Sequence, residues 1–225
     1  AGDHYSLDER ESKHSVRVLR MKMGEQVMLI DGKGNLYEGI ISDPDPRKCL
    51  IKIESVKRNF EKREYRLHIA ISPLKNPERC EWFVEKRVEI GIDEITPIIC
   101  HHTEKQRIKI ERIKSLIISA MKQSLKTRDT IINDVISFSD FVKADHDGCL
   151  MIACCNRSLK KEGIQDIYKK GDDAVILIGP EGDFSEDEIG RASGEGFSPV
   201  HIGKSRLRSE TAGIAACHSV YLINM

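Results

Sequence analysis

The 225-residue chain lacks the features that mark several special classes of protein. No apolar run approaches the roughly 20 residues that span a bilayer, and no secretory signal sequence is visible, so no membrane partner is expected. Lysine plus arginine and aspartate plus glutamate both total 36, which gives a formal net charge of zero. That balance argues against wholesale binding of a polyanion, and no DNA partner is expected.

The cysteines do not form the pattern of a disulfide framework or a zinc ribbon. Their number, seven, is odd, and no Cys-x-x-Cys pair occurs. His14, His101 and His102 likewise show no ligand spacing, so no metal is expected. We interpret the cysteines as mostly small apolar core residues, Cys154 and Cys155 included, in a protein of the reducing cytoplasm.

The composition is that of a globular chain with one or two domains. Hydrophobic residues make up 40% and charged residues 32%. Residues 15–58 predict several short strands separated by turn signals, and in one of them apolar Ile51 and Ile53 alternate with charged residues. Residues 1–66 are therefore predicted to form a small β-barrel or sandwich.

After residue 66 predicted strands alternate with predicted helices. Leu67–Ile71 is typical of a buried strand, and Asn76 with Pro77 predicts a helix that ends at Gly91. Similar signals predict strands at 95–99, 150–154, 174–178 and 200–202. They also predict helices at 107–125 and 210–224, and a capping box at 185–188 predicts the start of a further helix. This alternation predicts an α/β domain with a mostly parallel sheet over residues 67–225.

Ligands of parallel sheets bind at the carboxyl ends of the strands, and the first candidate exit is Ile178–Ser185. Gly179 and Gly182 allow close backbone approach there, and Glu181 adds a carboxylate. A phosphate cradle is disfavoured because the carboxylates would repel it and no P-loop lysine follows. A neutral or cationic ligand bound by backbone groups fits better. The alternative is an ordinary glycine turn that caps a helix.

Two further exits carry polar side chains. Ile202–Ala212 places Lys204, Arg206 and Arg208 ahead of a helix whose amino-terminal dipole adds positive potential. This favours contact with RNA phosphate or with a base carbonyl, and a solvated loop is the alternative. At the third exit, the amide of Asn156 follows a predicted strand and could line a pocket.

These residues resemble a known family. The chain resembles the bacterial 16S rRNA uridine methyltransferases of the RsmE type, in the SPOUT superfamily of knotted methyltransferases. Two segments, Ile178–Ser185 and Ile202–Ala212, carry the resemblance, and together they are specific. Weaker matches extend it over essentially the whole chain, at residues 18–20, 24–25, 31–32, 82–91 and 123–124.

The resemblance implies an architecture and a reaction. It implies an N-terminal PUA-like β-barrel that helps to hold RNA, and a C-terminal α/β domain with a trefoil knot. It further implies a homodimer with the C-terminal helix near the contact, with S-adenosylmethionine bound in the knot. The implied reaction is methylation of ring nitrogen 3 of a uridine in the 16S rRNA of the small ribosomal subunit.

Roles for individual residues follow from the motifs. The expected cofactor-binding residues are Ile178, Gly179, Pro180, Glu181, Gly182, Ile202, Gly203, Leu207 and Asn156. Arg208 is expected to stabilise charge on the uridine as its proton leaves, and Glu210 is a candidate proton acceptor. The expected RNA-binding residues are Arg17, Arg20, Lys22, Lys204 and Arg206.

One departure and two rival functions remain open at this point. Asp183 stands where the family usually has a second glycine, which changes the charge and the geometry of the loop. A non-enzymatic RNA-binding or ribosome-assembly factor would keep the same fold. A knotted methyltransferase acting on another RNA position is the second rival, and a generic nucleotide-binding enzyme is disfavoured because no GxGxxG or P-loop motif occurs.

Overall fold

A computed structural model describes residues 4–156 and 159–225 of the chain. These residues form two compact units. The first runs to Lys62 and takes in Leu125–Asp129, and the second comprises Arg63–Ser124 and Thr130–Met225. The predicted division after residue 66 does not include this return of the chain to the first unit.

The first unit is built on a four-stranded antiparallel sheet. Its strands are β1 (His4–Ser6), β2 (Gln26–Ile30), β3 (Leu36–Asp43) and β4 (Leu50–Lys57), in the order β1-β4-β3-β2. Ile41 and Ile51 face each other on β3 and β4 and are almost fully buried. The alternating pattern thus turns one face of the sheet inward, as the strand prediction for this part requires.

Residues 15–18, which begin the segment predicted to form short strands, are helical. Asp8 caps helix α1 (Glu9–Lys13) by accepting a backbone N–H at 2.8 Å, and the chain continues into a π-helical turn at His14–Val18. The strand prediction is wrong here because the alternating apolar residues do not mark a buried face. Val18, for example, is 65% exposed.

The second unit contains a sheet in which every pair of strands is parallel. Its strands are β5 (Leu67–Ile71), β6 (Glu94–Ile99), β7 (Ile131–Ile132), β8 (Ile136–Ser137), β9 (Cys149–Ala153), β10 (Glu162–Gly163), β11 (Ala174–Ile178) and β12 (Ser198–His201). The order is β10-β12-β9-β11-β5-β6-β7, with β8 also paired to β6. The predicted α/β domain with a parallel sheet is confirmed.

Six helices are described in the second unit, and two of them begin at caps that the sequence predicts, Asn76 and Ser185. They are α2 (Pro77–Ile90), α3 (Ile110–Ser124), α4 (Phe138–Lys143), α5 (Ile164–Ile167), α6 (Glu186–Gly194) and α7 (Ser209–Asn224). Asn76 accepts the N–H of Glu78 at 2.8 Å, and Gly91 ends α2 with a φ of 115°. The predicted ends of α2 are confirmed, because each depends on residues only a few positions apart.

Strand β11 occupies the centre of this sheet. All five of its residues, Ala174–Ile178, are buried, as expected for a strand covered on both faces. Its neighbours are β9 on one side and β5 on the other, although both precede it in the chain. The chain therefore inserts β11 between two strands that it has already placed.

Arg87 on α2 is a buried charged side chain without a polar partner. It is fully buried, and its three side-chain nitrogens have no hydrogen-bond partner among residues 4–156 and 159–225. The guanidinium carbon lies 3.0 Å from the centre of the Phe83 ring, beside the thiols of Cys80 and Cys217. Burial lowers the pKa of Arg87 well below its usual value, so the position destabilises the fold.

We expect Arg87→Met to raise the free energy of unfolding by about 1–4 kcal/mol. Methionine would fill the space without placing a charge in the interior. Urea unfolding at neutral pH measures the change, and Lys86→Met on the same helix is the control, expected to change stability by less than about 1 kcal/mol. A clear loss of stability in Arg87→Met alone would contradict the expectation.

Candidate functional site

Several strand exits lie side by side along one edge of the parallel sheet. Ile178 at the end of β11 is opposite Ile71 of β5 and Ala153 of β9, and Val200 of β12 is also opposite Ala153. Because the strands are parallel, the segments that follow them emerge at the same edge. The two predicted loops, after β11 and after β12, therefore flank the exit of β9.

The loop after β11 is shaped by the protein's own side chains. A Cβ atom at Gly179 would lie 3.1 Å from the Phe184 ring, and one at Gly182 would lie 3.0 Å from the Cβ of His102. The carbonyl of Pro180 accepts the N–H of Asp183 at 3.0 Å and closes the turn. Neighbouring side chains of the same chain thus pack directly on the glycine backbone, and a larger residue would have to displace them.

Asp183 ties three strand exits together. Its φ of 65° is in the left-handed region, which aspartate tolerates better than most residues. Its Oδ2 accepts the N–H of Cys155, after β9, at 2.7 Å, and its carbonyl oxygen lies 3.0 Å from Nδ1 of His102, after β6. Asp183 therefore acts as a bridge between loops.

A second set of hydrogen bonds fixes the loop after β6. Thr103 Oγ1 accepts the N–H of Cys100 at 2.8 Å and lies 2.8 Å from the hydroxyl of Ser72, after β5. Glu188 of α6 accepts the N–H of His101 at 2.7 Å and also completes the capping box of its own helix. Buried, fully bonded polar groups of this kind hold loops in one geometry.

The loop after β12 presents cations to solvent. Gly203 has a φ of 80°, and a Cβ atom there would meet nothing within 4 Å. Lys204 and Arg206 are exposed, and Leu207 is half-buried. Arg208 is exposed at the N-cap position of α7, where the helix dipole adds to its positive charge.

Glu210, in the first turn of α7, has a different environment from Arg208. Its side chain is only 7% exposed, and its Oε1 lies 3.6 Å from Nε of Arg79 on α2. The carboxylate is thus held against α2, and the guanidinium of Arg79 supplies the opposite charge that a buried anion requires.

The exit of β9 carries the third predicted group. The side-chain nitrogen of Asn156 lies 3.5 Å from a carboxylate oxygen of Glu186, at the start of α6. Cys154 is buried, and burial raises the pKa of its thiol, which disfavours a nucleophilic role. Cys155 is exposed, so the prediction that it is a core residue is wrong. All seven cysteines are free thiols.

The edge also offers backbone donors next to carboxylates. Among the described residues, no partner is found for the N–H groups of Gly182, Gly203 and Leu207. Glu181 is exposed, and one of its oxygens accepts the N–H of Lys75 at 3.1 Å. Free N–H donors can bind the polar edge of a planar ring, and nearby carboxylates favour a cationic group.

The remaining predicted residues lie on the first unit. Arg17, Arg20 and Lys22 are exposed in and after the π-helical turn, and Arg20 has a φ of 57°. Apolar side chains stand exposed beside them, with Leu19 58% and Met23 67% exposed. An exposed surface that mixes basic and apolar groups is suited to phosphate and base contacts.

Sequence reasoning missed the supporting residues. His102, Ser72 and Thr103 follow β5 and β6, and both strands were visible in the sequence as apolar runs. The general rule that strand exits carry ligands or their supports could have found them. Arg79 gave no such signal, because its partner Glu210 is remote in the chain.

No metal site or membrane span is found in the part of the chain that the structure describes. Residues 4–156 and 159–225 hold no group of three His, Cys, Asp or Glu side chains placed to bind an ion. None of the helices described there is long and apolar enough to cross a bilayer.

A cavity of about 420 Å³ lies at the other edge of the sheet and contains none of the predicted residues. His68 and Glu94, at the amino-terminal ends of their strands, belong to its wall. Burial lowers the pKa of His68 to about 4, so the ring is neutral at pH 7.

Comparison with known proteins gives two matches to family models. The family model of the RNA methyltransferase domain matches residues 61–221, and that of the RNA methyltransferase PUA domain matches residues 7–54. The chain belongs to the RNA methyltransferase family. The family predicted from the two loop motifs is confirmed.

Two curated relatives of this RNA methyltransferase carry the same name. The ribosomal RNA small subunit methyltransferase E of Mesomycoplasma hyopneumoniae is 30% identical over 76% of this chain and 75% of its own length. That of Rickettsia conorii is 27% identical over 96% of this chain and 89% of its own length.

Solved structures of similar proteins cover nearly the whole methyltransferase. A protein from Porphyromonas gingivalis, described as a probable rRNA methyltransferase, is 39% identical, with a TM-score of 0.89 over 97% of this chain and 93% of its own. A methyltransferase from Legionella pneumophila, solved with bound S-adenosylmethionine, is 26% identical, with a TM-score of 0.87 over 99% of this chain and 93% of its own.

In this methyltransferase we expect Asp183→Gly to speed hydrogen exchange at the amide of Cys155 by roughly fivefold, which corresponds to about 1 kcal/mol. Glycine tolerates the backbone angle but removes the acceptor. Asp183→Asn keeps an acceptor oxygen and should retain the protection. Equal exchange of Cys155 in the wild type and in Asp183→Gly would contradict the bridging role.

Proposed function

We propose that the chain is an S-adenosylmethionine-dependent methyltransferase that methylates ring nitrogen 3 of a uridine in 16S rRNA. The observation that carries the proposal is the alignment of the glycine loop after β11 and the cationic loop after β12 at one edge of the sheet. The relatives named ribosomal RNA small subunit methyltransferase E support the substrate.

The residues of this edge fit the proposed cofactor. The free N–H groups of Gly182, Gly203 and Leu207 suit the adenine edge, and the open space over Gly203 leaves room for it. The carboxylates of Glu181 and Asp183 favour the positive charge of a sulfonium. Ile178, Pro180, Ile202, Gly179 and the amide of Asn156 complete the proposed binding set. When bound, the cofactor supplies a methyl group that is open to in-line attack.

Arg208 is proposed to act on the uridine. Ring nitrogen 3 carries a proton and attacks poorly until that proton is lost, which leaves negative charge on the neighbouring carbonyl oxygens. An exposed guanidinium at the amino terminus of α7 can stabilise that charge as it forms. Glu210 is kept as the candidate proton acceptor, and Nε of Arg79 lies 3.6 Å from its Oε1.

The first unit is proposed to hold the RNA. Its match to the PUA domain and its exposed Arg17, Arg20 and Lys22 support this role, with Lys204 and Arg206 as phosphate contacts on the second unit. The finer features that the resemblance implies remain proposals, namely a closed barrel and a trefoil knot. The insertion of β11 between β5 and β9 supports the knot.

A homodimer, which the family resemblance implies, is also proposed. Trp82 of α2, Ile118 of α3 and Leu222 of α7 expose 45%, 52% and 54% of their surface, and apolar side chains of this size favour a covered position. The proposed substrate, 16S rRNA or the small subunit, would place the protein in the cytoplasm, as predicted from its unpaired cysteines.

Two measurements test the proposal. Calorimetry with S-adenosylmethionine should show one bound cofactor per chain, and no binding at millimolar ligand would favour a non-enzymatic RNA-binding factor. Mass mapping of 16S rRNA nucleosides from cells with and without the protein should show one lost 3-methyluridine. Loss of a methyl group from another RNA instead would establish the rival methyltransferase function.

We expect Arg208→Ala to lower kcat for methyl transfer by about 100- to 1000-fold and to leave cofactor affinity nearly unchanged. The reason is that its charge is needed only as the uridine becomes anionic. Arg206→Ala is the matched comparison, and it should chiefly raise KM for RNA. A parallel loss of cofactor affinity in Arg208→Ala would show that the side chain supports the loop instead.

A further inference from the structure

The Arg79–Glu210 pair joins α2 to the start of α7. Only 7% of the Glu210 side chain is exposed, while 41% of the Arg79 side chain is exposed. Nε of Arg79 lies 3.6 Å from Oε1 of Glu210. Burying a charged group is costly unless an opposite charge or hydrogen bonds compensate it, and Arg79 places an opposite charge beside Glu210.

The pair is close to Arg208 through the backbone of α7. Arg208 is the N-cap residue, and its carbonyl accepts the N–H of Ala212 at 2.7 Å. Glu210 lies inside this first hydrogen-bonded turn. A restraint on Glu210 therefore restrains the backbone from which the Arg208 side chain extends.

The other anchor of the pair is equally well defined. Arg79 lies in the first turn of α2, which begins at Pro77 and is capped by Asn76. This turn follows the exit of β5, where the N–H of Ser72 bonds the carbonyl of Ile178 at 3.0 Å. Arg79 is thus mounted on a segment that is tied to the glycine loop.

We infer that Arg79 is a positioning residue for methyl transfer, which holds Glu210 and through it the α7 turn that presents Arg208. The inference rests on the proposed function of Arg208. In this inference Glu210 supports the first turn of α7. A role of Glu210 as proton acceptor is the alternative result that the test can give.

The test compares Arg79→Gln, Arg79→Lys, Glu210→Gln and the double variant Arg79→Gln/Glu210→Gln in the full-length enzyme. Arg79→Gln is expected to lower kcat at least about tenfold, with KM for RNA and Kd for S-adenosylmethionine within about twofold of the wild type. Arg79→Lys keeps the charge and should recover most of kcat. The double variant should be no slower than the slower single variant, since both changes break one interaction.

Arg112→Gln is the matched control. Arg112 of α3 pairs with Glu81, which lies on α2 as Arg79 does, and 58% of the Arg112 side chain is exposed. Loss of Arg112 therefore breaks an ion pair of α2 that does not touch α7. Its kcat should equal that of the wild type. Hydrogen exchange at Ala212 should quicken in Arg79→Gln and stay unchanged in Arg112→Gln.

The outcomes separate this inference from the proposed function. Unchanged kcat and Ala212 exchange in Arg79→Gln would overturn the positioning role. Two results together would overturn the positioning role in favour of Glu210 as proton acceptor. The losses of kcat in the single variants would add in the double variant, and the kcat–pH profile of Glu210→Gln would lack its acidic limb. If the wild type transfers no methyl group to small subunits, the proposed function fails, while faster Ala212 exchange in Arg79→Gln still establishes the restraint on α7.

Discussion

The register of β11 between β5 and β9 is the constraint on which the candidate site depends. Ile178 ends its strand opposite both Ile71 and Ala153, so three chain segments turn away from the sheet at one level. The strand is buried on both faces, and a slip of one residue would exchange the side chains that face the two covering layers and disrupt their packing. The hydrophobic burial of β11 therefore also fixes where the polar loops after these strands lie.

Contacts with neighbouring loops restrict the backbone freedom that two glycines would otherwise give the loop after β11. The loop after β11 has two glycines, yet Phe184 and His102 pack on them and Asp183 links the turn to the exits of β6 and β9. An aspartate at a left-handed position costs some backbone strain, and its carboxylate offsets that cost by binding the N–H of Cys155. The result is a loop held by several neighbours.

Negative and positive side chains lie on different loops of the same sheet edge. The loop after β11 offers carboxylates, and the loop after β12 offers Lys204, Arg206 and Arg208 with the dipole of α7 behind them. A methyl donor with a positive centre and an RNA with negative phosphates would need these opposite environments within one site. The Arg79–Glu210 pair couples the cationic side to the packing of α2.

The sequence by itself determined the longer elements of the second unit and the family. The caps of α2 and α6, the buried run of β11 and the two loop motifs depend on residues a few positions apart, and each was readable from the chain. Only the tertiary structure decided the insertion of β11 between β5 and β9, the bridge from Asp183 to Cys155 and the pairing of Arg79 with Glu210. These depend on contacts between residues far apart in the chain, whose choice follows from how all the apolar faces pack together and leaves no mark in local spacing.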